Sequence, residues 1–153
     1  MRVGQGHRGN ADHRQGNVEV NATLILDTSA VIRLFKGTSR EIGRAIAGAA
    51  RIVIPLAAYA ELQSGFERQG SAATMERELF DSLLSTPGAS VHHPDERTGV
   101  FYAKIFNLLR DNGTMIPTND IWIAAETMAI GGVLYSSDRH FGSIALLDWR
   151  YCE

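Results

Sequence analysis

The stretch Leu24–Phe35, LILDTSAVIRLF, changes character in its middle. With Thr23 it opens as TLIL, a short apolar run that reads as a buried strand. It then meets Asp27, and the following TSAVIRLFKG reads as a helix with Thr28 or Ser29 as its N-cap and Gly37 near its end. A core strand passing straight into a helix is the opening of an α/β unit. The carboxylate at its tip demands a reason.

Working outward, the same alternation continues. SREIGRAIAGAA reads as a helix, RIVIP as a β-branched strand closed by Pro55, and LAAYAELQSGFERQ and AATMERELFDSLLS as two further helices. ASVHH is a weak strand after the Pro87-Gly88 turn. DERTGVFYAKIFNLLRDNG places Val100, Phe101, Ile105, Leu108 and Leu109 at helical spacing and closes on Gly113. NDIWIAAETMAIGG reads as a helix capped by Asn119, VLYSSD as a strand, and IALLDW as a last, edge strand. Short strands alternating with helices imply a parallel sheet wrapped on both faces, with the ligand crevice at the carboxyl ends of its strands.

At 153 residues the chain fits one domain. Residues 1–21 are polar, glycine-rich and without periodicity, and are expected to be a disordered extension ahead of a folded domain over residues 22–153. His7 and His13 fall in that extension and read as solvated filler. No run approaches the roughly 18 apolar residues of a membrane span, so a cytoplasmic address is expected. Cys152 is the only cysteine, which excludes an intramolecular disulfide and a thiolate metal site. The formal net charge of -2 argues against holding nucleic acid by bulk electrostatics. The cations are nonetheless almost all arginine, the better fork for phosphates.

Asp27 ends the first strand and Asp138 follows the strand VLYSS, so two carboxylates leave the sheet at one edge. Glu61 lies on the helix after RIVIP, and Asp120 opens the helix before VLYSS. If those strands are neighbours, all four acids reach one crevice. Such a cluster is stable as anions only around a cation, and oxygen-only donors point to Mg²⁺ or Mn²⁺. Each acid also has a plainer reading: Asp27 and Asp120 as helix caps, Asp138 as a turn residue, Glu61 on an exposed face.

The segments LILDTSAVI, AELQSG, FYAKIFNLLRDNGTMIPTNDIWIAA and LYSSDRHFGSI together resemble the PIN-domain ribonucleases, most closely the VapC-type toxins of bacterial toxin-antitoxin pairs. The resemblance spans Leu24 to about Leu147, in the family's order and spacing. It implies a PIN-like three-layer α/β/α sandwich with a central parallel sheet. It also implies that Asp27, Glu61, Asp120 and Asp138 are the acidic quartet, that Ser136 is the small hydroxyl residue ahead of the last acid, and that Ser29 and Asn119 support the site. A homodimer and a VapB-type antitoxin, whose C-terminal segment lies across the active-site groove, follow from the same likeness. An apolar stripe on SREIGRAIAGAA and AATMERELFDSLL would suit that partner.

The expected function is an Mg²⁺-dependent endoribonuclease toxin that cleaves RNA phosphodiesters by metal-activated water. Asp27 and Asp138 are expected as direct ligands, Asp120 next, and Glu61 as a ligand through water or the acceptor of the water's proton. Arg33, Lys36 and Arg139 flank the crevice and are candidates for holding RNA phosphates. The plainer reading makes them solvated surface. His140 reads as a packing or surface histidine rather than a base. His92 and His93, before Pro94, are poor ligand candidates without a third donor. Trp122, Phe101, Tyr102 and Phe106 read as core or subunit interface. A haloacid-dehalogenase-like phosphatase lacks its second aspartate, since position 29 is Ser29, and a receiver domain lacks its late lysine, since none follows Lys104. An RNA-processing PIN nuclease without antitoxin, or a catalytically weak RNA-binding PIN module, stays open as the alternative.

Overall fold

The computed structural model describes residues 22–153, and the extension expected over residues 1–21 lies outside them. The strands are β1 (Thr23–Leu26), β2 (Arg51–Pro55), β3 (Ala89–His92), β4 (Val133–Ser136) and β5 (Trp149–Tyr151). The helices are α1 (Thr28–Phe35), α2 (Arg40–Gly48), α3 (Leu56–Gln69), α4 (Thr74–Leu84), α5 (Glu96–Asp111) and α6 (Thr118–Ile130). A 3-10 helix over Gly70–Ala73 joins α3 to α4, and another covers Arg139–Ser143 after β4. The last strand is therefore not IALLDW. Ile144 and Leu147 continue the turn through Ile144 N–H to Phe141 O and Leu147 N–H to Ile144 O, and pairing with β4 resumes only where Leu134 N–H reaches Asp148 O.

The five strands are all parallel in the order β3-β2-β1-β4-β5, within a three-layer α/β/α sandwich. The chain builds outward from β1 to β2 and β3, then returns to the other side of β1 to lay down β4 and β5. That reversal opens a crevice at the carboxyl ends of β1 and β4. Central and edge strands differ as burial on both faces requires: Leu24, Ile25, Leu26, Ile52, Val53, Ile54 and Leu134 are buried, while β3 and β5 are only partly covered. Gly132 lets β4 start tight against β1, because a Cβ there would sit 2.8 Å from Ile25 Cγ1 and 2.9 Å from Thr23 O. No helix among the described residues is long and apolar enough to cross a membrane.

One buried carboxylate joins the helices that flank the crevice. α3 begins after Pro55, which offers no side-chain cap, and Leu56 N–H instead donates to Glu126 Oε2 on α6 at 3.2 Å. The same oxygen lies 2.8 Å from His92 Nδ1 at the end of β3. Glu126 is fully buried, its Oε1 has no partner among the described residues, and burial holds its carboxyl above the usual range. The cost of burying it is offset by tying together the start of α3, the middle of α6 and the end of β3.

Glu126→Ala is expected to destabilise the fold by about 2–4 kcal/mol, since it strands Leu56 N–H and leaves a cavity. Glu126→Gln, whose amide oxygen can still accept from Leu56 N–H and from a protonated His92 Nδ1 at the same position, is expected to cost less than half as much. Urea unfolding midpoints of the two variants test this.

Candidate active site

Asp27 is both things its sequence allows. It is the N-cap of α1, with Oδ1 accepting from Ala30 N–H at 2.8 Å, so neither Thr28 nor Ser29 holds that position. The reason is register: β1 ends at Leu26, and the first residue able to fold back onto the free N–H groups is the aspartate itself. Asp27 also faces the crevice. Ser29 Oγ donates to its Oδ1 at 2.8 Å, and Ser136 Oγ at the end of β4 donates to its Oδ2 at 2.5 Å.

The two serines do more than orient one carboxylate. Ser29 Oγ accepts Ser137 N–H, and Ser136 Oγ accepts Asp138 N–H, each at 2.9 Å. The end of β1 and the loop after β4 are therefore spliced by donor-acceptor pairs through Asp27, and this delivers Asp138 to the crevice. Asp138 then caps the 3-10 helix, with Oδ1 accepting from His140 N–H at 2.9 Å.

Glu61 arrives from α3 and is gripped at both oxygens. Thr28 Oγ1 donates to Oε2 at 2.5 Å, and Asn119 Nδ2 donates to Oε1 at 2.7 Å. Asn119 holds Glu61 and is not the helix cap. α6 starts at Thr118 behind Pro117, which leaves Asn119 and Asp120 inside the first turn. Asp120 is thus not a cap either; the positive end of the α6 dipole lies beneath its charge.

The four acids form one electrostatic unit. Burial pushes the Asp27 carboxyl up to about 6, against the pull of the Ser136, Ala30 and Ser29 hydrogen bonds, and Asp120 adds to the rise. Burial likewise raises Asp120, with Asp138 and Glu61 contributing repulsion. Among the described residues no arginine or lysine pairs with any of the four. The basic side chain set against them is instead a histidine. His140 is exposed, as its surface reading expects, but its Nδ1 lies 3.3 Å from Asp120 Oδ2 and 3.1 Å from Asp138 Oδ1. A turn of two residues, capped by Asp138 itself, folds the ring back over the acids.

The remaining predicted residues fall in mixed positions. Lys36 is exposed and lines the same groove as Glu61. Arg33 is half-buried in the last turn of α1, and the Arg139 guanidinium lies over the Tyr151 ring at 4.7 Å. Tyr102 packs on Trp122 with ring centroids 4.4 Å apart, and Phe101, Tyr102 and Phe106 all pack against the core. The apolar groove beside the acids, about 280 Å³, is walled by Ile32, Phe35, Leu62, Phe66, Met75 and Leu79. It belongs to α1, α3 and α4. SREIGRAIAGAA does not contribute, because α2 buries Ile42 and Ala45 inward.

This donor set fits a divalent cation: clustered carboxylate oxygens, of which Asp27 and Asp120 are held above the usual range, with one imidazole nitrogen and, among the described residues, no lysine or arginine paired to them. A carboxylate-lined crevice at the switch point of a parallel α/β/α sandwich defines a class, and the chain belongs to the PIN domain family, whose model matches residues 24–147. It is 28% identical over 130 residues to Ribonuclease VapC1 of Haemophilus influenzae (strain R2866), covering 82% of this chain and 95% of that one. VapBC-1 from nontypeable Haemophilus influenzae has the same fold, with a TM-score of 0.73 at 27% identity over 84% of this chain and 97% of its own. VapBC2 from Rickettsia felis, solved bound to a DNA fragment from their promoter, gives 0.74 at 18% identity over 86% and 99%. That last likeness concerns the fold alone.

Because the Asp27 carboxyl sits at about 6 in the fold and lower when unfolded, its ionised form opposes folding above pH 6 and the opposition vanishes below about pH 4. Asp27→Asn is therefore expected to stabilise the metal-free protein at pH 7.5, by on the order of 1–3 kcal/mol, and to give no gain at pH 4. Thermal melts of both proteins at the two pH values, in EDTA, check the sign.

Proposed function

We infer that this chain is a PIN-domain ribonuclease of the VapC toxin kind, cleaving RNA phosphodiester bonds hydrolytically and dependent on a divalent cation, Mg²⁺ or Mn²⁺. The observation that carries the reading is the convergence of Asp27, Asp120 and Asp138 at the carboxyl ends of β1 and β4, with Asp27 held by Ser29 and Ser136 and Asp138 anchored through Ser136. The ribonuclease name of the Haemophilus influenzae relative and the shared fold of VapBC-1 support the substrate class.

In this reading Asp27, Asp120 and Asp138 hold the cation. When bound, the ion supplies positive charge that makes water a better nucleophile and stabilises the charge developing on the scissile phosphate. Glu61, fixed by Thr28 and Asn119, stands at the rim and receives the proton of the attacking water. The serines keep Asp27 aimed into the crevice. Lys36 in the groove beside Glu61, Arg33 in the last turn of α1 and Arg139 after β4 hold the phosphates of the strand.

The neighbouring groove has the character of a peptide-binding surface, with apolar walls and Lys36 and Glu61 as charged contacts. A VapB-type antitoxin segment laid along it would cover Glu61 and so shut the crevice. A homodimer working in the cytoplasm completes the reading.

Purified protein is expected to cut RNA in Mg²⁺ or Mn²⁺ and to stop in EDTA, and Asp138→Asn is expected to lose at least about 100-fold in rate. Cleavage of a broad RNA panel, with folding checked by circular dichroism, is the measurement. Undiminished cutting by Asp138→Asn or in EDTA would contradict the assignment.

A further inference from the structure

We propose that His140 is an inner-sphere nitrogen ligand of the divalent-cation site, and that it biases the centre toward Mn²⁺ over Mg²⁺. The inference rests on the metal-dependent reading above and adds a fifth residue to the acidic quartet.

The donor atoms of Asp120, Asp138 and His140 all lie within 4.8 Å of one another. The imidazole Nδ1 lies 3.1 Å from one carboxylate oxygen and 3.3 Å from the other. Two ligands in neighbouring positions on an octahedral ion with bonds of about 2.0–2.1 Å are about 3 Å apart, so these separations match two edges of such an octahedron. The geometry is also built in rather than incidental. Asp138 caps the 3-10 helix through His140 N–H, and that short turn fixes where the ring projects. Asp138 is itself anchored through Ser136 to Asp27, so the histidine is tied by a continuous chain of hydrogen bonds to the most buried acid.

Exposure and chemistry agree with a ligand role. The ring is half exposed while Asp120 is largely covered, so the imidazole stands on the solvent side of that acid. Carboxylates alone suit Mg²⁺, which prefers oxygen and retains its waters. An imidazole nitrogen shifts a site toward first-row transition ions, of which Mn²⁺ is the hardest. A surface ion-pair role for His140 would place it near one carboxylate. The structure places it across two, both on the crevice side.

The test is Mn²⁺ titration of the full chain at pH 7.5, followed by loss of the free-ion EPR signal, with pulsed EPR on the bound ion. Wild type is expected to bind Mn²⁺ saturably and to show imidazole ¹⁴N modulation. His140→Gln is expected to lose that modulation and at least about tenfold in Mn²⁺ affinity, while Mg²⁺ affinity, measured by competition, changes less than twofold. Bound Mn²⁺ without ¹⁴N modulation, or modulation that survives in His140→Gln, would overturn the proposal and leave the acidic site standing. No saturable Mn²⁺ binding by folded wild type would overturn both the proposal and the metal-dependent reading.

Discussion

The architecture of the site depends on one buried carboxylate and the hydroxyls that hold it. Asp27 caps α1 through Ala30, takes a hydrogen bond from Ser29, and takes another from Ser136 across the junction of β1 and β4. Each serine oxygen also accepts a backbone N–H of the loop after β4. Charge-assisted hydrogen bonds of this kind are roughly twice as strong as neutral ones, and here they offset much of the penalty of putting a carboxylate in the core. The offset is incomplete, as the raised Asp27 carboxyl records. A site that stores unfavourable charge in its empty state is one that gains by taking up a cation.

The rest of the fold supports that arrangement at longer range. Parallel strands buried on both faces supply a rigid sheet, and Gly132 allows β4 to lie close enough to β1 for the serines to reach. Glu126 fixes α3 to α6 from below, and Asn119 fixes them again at the crevice by holding Glu61. Glu61 and Asp120 therefore belong to two helices joined at both ends of the interval between them. The apolar groove along α1, α3 and α4 meets the same crevice at Thr28 and Glu61, so occupation of the groove and access to the acids are physically linked.

Much of this was legible in the sequence because central parallel strands are uninterrupted apolar runs. TLIL, RIVIP and VLYS stand out for that reason, and the acids that follow them stand out in turn. IALLDW failed as a strand because an apolar run carries no period, and here Ile144 and Leu147 are consumed by a turn. Asn119 failed as a cap because Pro117 lets the helix start earlier than its first amide side chain suggests. The placement of His140 over the acids is invisible in the sequence for a different reason. Its contact with Asp120 spans 20 residues and runs through a 3-10 turn, which leaves no periodic trace. Glu126 did leave one, as a lone acid in the apolar IWIAAETMAI, but its partners Leu56 and His92 come from elements that only the folded sheet brings together.

The central claim is that the serine splice, and not the mere presence of four acids, assembles the cation site. Calorimetric titration of Mn²⁺ into Ser29→Ala/Ser136→Ala, with all four carboxylates intact and the fold verified, tests it most directly. The account predicts that the double variant stays folded and binds Mn²⁺ at least about tenfold more weakly than wild type, the range seen when groups that orient metal ligands are removed. Affinity unchanged from wild type in the folded double variant would contradict it.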